Sequence, residues 1–296
     1  MSQSTIMQKL ASPQFTNFIA TQLSFVGLNK RHIQLYTNDE NIQDFRLVFV
    51  HSSADSKNNY EYYEFRGDTI VNDIIAEYVS EETKTRNVKW LTKIKHNLMS
   101  KKTLSSLAEN LGFEEYLVYG EKMVESLTRN PDKKTNKDYR SMLEDCVEAF
   151  MGCLVIVVNR HSKNQVGHGV ARMFLRQLMK RYIKIEMDYS KVFDPITRLK
   201  EIYDAYKWGF IKKGFKSTFV VTERKNAQEE TAYDVEIFGF PYGDKTPIAS
   251  NKAKLVTYRG DFGQAKDEVE YAAAERAILE LSSKYRIYGK IEDMPI

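Results

Sequence analysis

A mainly α protein in two parts is what the sequence predicts: a long all-helical N-terminal domain followed by a small α-β-β-β-α domain. Apolar residues recur at helical spacing from about Phe15 to Ile185, and after Gly214 the period becomes two. A length of 296 residues suits two cores, and 42% hydrophobic with 12% aromatic residues is a globular composition.

The elements follow in order. Residues 1–14 read as a tail: Met1–Leu23 holds Lys9 as its one basic residue and no arginine, unlike a targeting presequence. Tyr60–Asp68, Y-E-Y-Y-E-F-R-G-D, puts Glu61, Glu64 and Asp68 at i, i+3 and i+7, within about 60° of one another around a helix. Like charges so placed repel, and a chain keeps them when something cationic sits against them. A mid-helix glycine costs about 1 kcal/mol, so Gly67 marks a close backbone approach. Thr69–Val79 continues as a core stripe of Ile70, Val71, Ile74, Ile75 and Tyr78. Leu104, Leu107, Ala108 and Leu111 form another helix stopped by Gly112. Asn130–Asp138 is a breaker-rich loop before a second acidic helix, L-E-D-C-V-E-A-F-M-G, with Asp145 and Glu148 expected on the face opposite an apolar stripe. Two helices that bring carboxylates to one point describe a site for a hard divalent metal. Met173–Ile185 is basic and amphipathic.

The second domain opens at Asp194, an N-cap with Pro195 at the first position of a helix Ile196–Lys207. Strands are expected at Ser217–Glu223, Thr231–Phe238 and, more weakly, Lys254–Arg259, then a helix Lys266–Ser283. The order is that of a small α+β sandwich.

A formal net charge of +4 permits a polyanion partner. Two cysteines, Cys146 and Cys153, seven apart in one helix, make neither a disulfide framework nor a zinc pattern. They read as core residues of a reduced, intracellular, cytoplasmic chain. No apolar run approaches the ~18 residues needed to span a bilayer. The five histidines (His32, His51, His96, His161, His168) show no ligand spacing and read as structural or exposed.

Y-E-Y-Y-E-F-R-G-D-T-I-V resembles the signature of the ribonuclease III family. His51-Ser52-Ser53-Ala54 resembles its T-H-R-S segment, and L-E-D-C-V-E-A-F-M-G its A-D-x-x-E-A-L-I-G helix. The C-terminal part, opening D-P-I-T-R-L-K-E and closing E-Y-A-A-A-E-R-A-I-L, is similar to a double-stranded-RNA-binding domain. The resemblance implies a ribonuclease III catalytic domain over 15–189, an RNA-binding domain over 193–285 and a tail over 286–296. It implies Glu64, Asp68, Asp145 and Glu148 as ligands of Mg²⁺, with Mn²⁺ as substitute, and Glu61 as a further acid of the catalytic site. It implies Phe65 as a residue that packs into the partner of a homodimer. Thr197, Lys200, Glu201, Lys225 and Lys266 fall at its RNA-binding positions.

The chain departs from the pattern in places. Tyr62-Tyr63 and Arg66 replace apolar and basic family residues, and no carboxylate matches a further family acid near Val88. The lysines expected at the last helix's N-terminus are replaced by Lys266-Asp267-Glu268-Val269-Glu270, which weakens phosphate binding. The expected function is a metal-dependent endoribonuclease that hydrolyses double-stranded RNA to 5′-phosphate and 3′-hydroxyl ends. The rivals are a catalytically silent relative with a structural, ribosomal role and a duplex-RNA sequestering protein. Retained carboxylates argue against the first, and the acidified helix against the second.

Overall fold

The computed structural model describes residues 8–212, 218–240 and 252–287. Residues 1–7 and 288–296 of the two expected tails lie outside the described residues, as does Ser217 of the first expected strand; the rest of the first tail is packed, with Leu10 buried and a helix beginning at Pro13. The chain divides into two compact units, Met1–Ile185 and Glu186–Ile296.

Unit one is helical: α1 Pro13–Ser24, α2 Lys30–Tyr36, α3 Asp39–Leu47, α4 Glu61–Thr83, α5 Val88–Leu98, α6 Lys101–Asn110, α7 Glu121–Arg129, α8 Lys137–Arg160 and α9 Gly167–Tyr182. Its starts are chemically marked. Asn87 caps α5, Ser100 caps α6, and the Asn136 side chain accepts from Tyr139 N–H at 3.0 Å to begin α8. Asn136 also donates to the Ser126 and Asn130 carbonyls at 3.1 and 2.9 Å, so the polar loop is tied to the helix it launches. Gly112, at φ +72°, ends the α6 segment as its spacing predicts.

The two long helices α4 and α8 form the centre. Ile70, Val71, Ile74, Ile75 and Tyr78 are all buried on α4. The expectation that α8 carries its carboxylates opposite an apolar stripe is corrected: Leu143, Cys146, Val147, Phe150, Met151, Cys153 and Leu154 leave it buried on nearly every side. Glu148 is itself only 7% exposed, because α4 covers its face. The crossing is tight. A β-carbon on Gly67 would stand 1.7 Å from the Glu148 carbonyl oxygen, and one on Gly152 would stand 2.1 Å from that of Tyr63. Two glycines therefore let the backbones touch where the acids lie. Further along, Arg172, Arg176 and Lys180 of α9 pair with Glu77, Glu81 and Glu82 of α4, at 2.5 Å for Arg172–Glu77, 2.6 Å for Arg176–Glu81 and 3.5 Å for Lys180–Glu82.

Unit two holds α10 Tyr189–Val192, α11 Pro195–Ala205, an antiparallel sheet in order β1 (Phe219–Lys225), β2 (Thr231–Gly239), β3 (Ala253–Arg259), and α12 Lys266–Tyr285. It begins earlier than 193 because Tyr189 packs on Phe193 and donates its hydroxyl to Glu201. Asp194 caps α11 through Thr197 N–H at 2.9 Å. Opposite Val235 and Ile237 of β2, Ala273, Ala274 and Ala277 make α12 slim enough to lie close to the sheet. The β2–β3 register shifts at Ile237/Phe238, a bulge.

Candidate metal centre

One turn from the Gly67–Gly152 crossing, Glu64 of α4 meets Asp145 and Glu148 of α8, with one carboxylate oxygen of each within 4.8 Å of the others. Neither Glu64 nor Glu148 has a side-chain hydrogen bond or ion pair among the described residues. Asp145 differs, because the buried Tyr60 hydroxyl donates to its Oδ2 at 2.9 Å, leaving Oδ1 for the cluster. Asp68 and Glu61 are exposed on α4 and stand outside this closest group.

The electrostatics fit a cation. Burial, then the charges of Asp68, Glu144, Asp145 and Glu64, push Glu148 up to about 8. Burial, then Asp145, Glu61, Asp68 and Glu144, push Glu64 up to about 7. Asp145 is also raised, by burial against the opposing Tyr60 hydrogen bond. Lys101 lies 3.7 Å from Glu144, beside the cluster, and its charge opposes the rise at Asp145. One buried and two half-buried carboxylates with no direct ion pair among the described residues, an all-oxygen donor set, suit Mg²⁺ or Mn²⁺.

Some site features escape a reading by spacing. Glu144 gives no signal of its own there, although it adds negative charge to both raised glutamates. Gly152 is legible only as part of a motif. His51, which reads as structural, lies within electrostatic reach of Asp145 and Glu61. Val88, where a family acid is missing, is 73% exposed at the start of α5. Phe65 and Tyr62 are exposed large aromatics on α4.

The RNA-binding candidates fall in unit two. Lys200, Lys225 and Lys266 are exposed, whereas Thr197 donates its hydroxyl to Asp194 at 2.7 Å and Glu201 accepts from Tyr189. Glu270 is half-buried and paired with Lys212 at 3.0 Å and Lys266 at 3.9 Å, so two of the cations nearest this helix start are engaged internally.

Carboxylates converging from two crossed helices define an acid-lined hydrolase site of the kind that uses divalent metal. Residues 61–159, which contain all of these acids, match the family model of the ribonuclease III domain. A protein of Invertebrate iridescent virus 6, provisionally named a ribonuclease 3, is 26% identical, with 94% of this chain and 91% of the relative covered. The ribonuclease 3 of Lactococcus lactis subsp. cremoris strain SK11 is 25% identical, covering 84% of this chain and 94% of the relative. The crystal structure of the nuclease domain of ribonuclease III from Campylobacter jejuni aligns with a TM-score of 0.41 at 20% identity, covering 56% of this chain and 97% of that one. Residues 61–159 thus form a ribonuclease III domain, the endoribonuclease domain of a family that depends on divalent metal.

Proposed function

We propose that the protein is an Mg²⁺-dependent endonuclease specific for double-stranded RNA, hydrolysing phosphodiesters to 5′-phosphate and 3′-hydroxyl ends. The observation that carries this is the meeting of Glu64, Asp145 and Glu148 without a protein cation between them. Divalent metal bound there supplies charge neutralisation and an activated water. The chain's own residues do the rest. Tyr60 fixes Asp145, the glycine crossing fixes the helix spacing, and burial of Glu148 keeps solvent from screening its charge. Asp68 and Glu61, exposed beside the cluster, extend the acidic surface toward a second ion or ordered water.

A homodimer is part of the proposal, because cutting both strands takes two such sites and Phe65 offers an apolar anchor that is 78% exposed. The second unit is proposed to bind duplex RNA weakly, supported by the internal engagement of Thr197, Glu201 and Lys266. An intracellular, cytoplasmic setting is proposed on the strength of two buried unpaired thiols. No described helix is long and apolar enough to cross a membrane. The test is cleavage of a long RNA duplex with and without Mg²⁺, by the wild-type chain and by Glu148→Gln. Metal-dependent cutting that the substitution abolishes is expected. Equal cutting by both would refute the assignment.

A further inference from the structure

An open cleft of about 730 Å³ lies beside the carboxylates, lined by His51, Ser53, Gly120, Glu121 and Lys122 among others. His51 joins the two. Its ring meets Tyr60 edge-on at 5.6 Å, and Tyr60 is the residue that holds Asp145.

His51 is locked in one tautomer. The Ser53 backbone N–H donates to its Nδ1 at 3.0 Å, and the Ser53 hydroxyl sits 2.7 Å from the same nitrogen. That hydroxyl oxygen in turn accepts the Gly120 N–H at 2.9 Å, so its own hydrogen is directed to the imidazole. A ring nitrogen that accepts a backbone N–H carries no proton, so the neutral imidazole bears its hydrogen on Nε2. The His51 main chain is fixed as well, donating to the Val118 carbonyl at 2.9 Å. A role as loop staple uses Nδ1 and leaves the Nε2–H donor with no partner among the described residues. Glu121 and Lys122, both exposed, likewise have no side-chain ion pair there.

We propose that this cleft is a ribonucleotide subsite in which His51 Nε2–H donates to a ribose 2′-hydroxyl, Glu121 accepts from that hydroxyl, and Lys122 pairs with the neighbouring phosphate. The inference rests on duplex-RNA cleavage at the adjacent carboxylates and adds a discrimination of RNA from DNA. A 2′-hydroxyl is donor and acceptor at once, which matches a fixed N–H and a carboxylate across one cleft, and a deoxyribose offers neither.

The test compares the full-length wild type with His51→Asn, His51→Gln and Lys122→Ala on RNA duplexes, all-ribo or with single 2′-deoxy substitutions flanking the scissile bond. For the wild type, a deoxy substitution at the subsite should raise KM about three- to tenfold, the worth of one hydrogen bond. His51→Asn should raise KM on the all-ribo duplex by a similar factor and no longer sense the deoxy substitution. His51→Gln, whose amide N–H reaches the Nε2 position, should keep part of both. Lys122→Ala should lower the salt-dependence slope of binding by roughly one. Wild-type KM and full deoxy discrimination in His51→Asn, with an unchanged slope in Lys122→Ala, overturn the proposal. If His51→Asn fails to fold, His51→Gln and Lys122→Ala decide by the same readouts. Loss of all cleavage by the wild type would sink the parent reading instead. Duplex binding by the Glu148→Gln chain then decides the subsite: a ribo preference keeps it and indifference ends it.

Discussion

The carbonyl oxygen of Glu148 occupies the place that a side chain on Gly67 would need, 1.7 Å from its ideal β-carbon. One residue thus serves twice: its main chain packs against the neighbouring helix while its carboxylate joins the cluster. Site geometry and core packing are in this way a single arrangement.

Replacing Gly67 with alanine is therefore expected to destabilise the protein. Helix propensity alone would favour alanine by about 1 kcal/mol, but the new methyl must drive α4 and α8 apart. Overpacking of this kind costs about 1–3 kcal/mol, and the carboxylates separate with the helices. Urea denaturation with a cleavage assay checks both, and an unchanged midpoint would contradict the crossing.

Stability without metal should fall as pH rises. Glu64 and Glu148 titrate near 4.3 when unfolded and at about 7 and about 8 when folded. The unfolded chain releases these protons first, so destabilisation begins above about pH 4.3 and is complete above about pH 8. Mg²⁺ should raise the melting temperature most at pH 8 and little at pH 5, because it competes with protons for the same oxygens. Glu148→Gln, unable to ionise, should flatten the metal-free profile and melt higher than wild type at pH 8.5. Parallel profiles for the two chains would remove Glu148 as the source.

Phe65→Ala should leave the monomer's stability nearly unchanged, since the ring is 78% exposed. If it anchors a two-fold interface, the dimer dissociation constant should rise at least tenfold. Sedimentation at graded concentrations measures this, and a wild type that stays monomeric at micromolar concentration yet cuts both strands would exclude the dimer.

In the second unit, Asp267→Lys with Glu268→Lys should tighten duplex binding. Every further phosphate that a lysine neutralises should steepen the salt dependence by roughly one unit. Titration of the full chain at several salt concentrations reads the change. Tight, steeply salt-dependent binding before substitution would place the phosphate-binding residues elsewhere.

Much of the fold was legible because periodicity and punctuation agreed. The Ile70–Tyr78 stripe, the stop at Gly112, the cap at Asp194 and the switch to strands each had a local cause visible in the sequence. The close approach at Gly67 was legible for the same reason, since a glycine in mid-helix has a cost to explain. What lay beyond reach was tertiary. Spacing put Asp145 and Glu148 on one side of α8 but could not show that α4 closes over that side and buries Glu148. Nor could it pair Tyr60 with Asp145 across 85 residues, or tie His51 to Ser53 and through it to Gly120. The separation of Asp68 from the three nearest acids depends on how two helices cross, and no single-helix projection contains that angle.

The cations of α9 look, in a linear sequence, like a stripe made for a polyanion. Folded, Arg172, Arg176 and Lys180 each lie within 4.0 Å of a glutamate on α4, which makes that face a zipper closed on itself. An approaching duplex would meet it as almost neutral ground. Raising the ionic strength should then loosen α9 from α4 and cost stability there, rather than shed a ligand. Basicity in this helix is spent holding the protein together, and the count of basic residues overstates how much of the chain can attract nucleic acid.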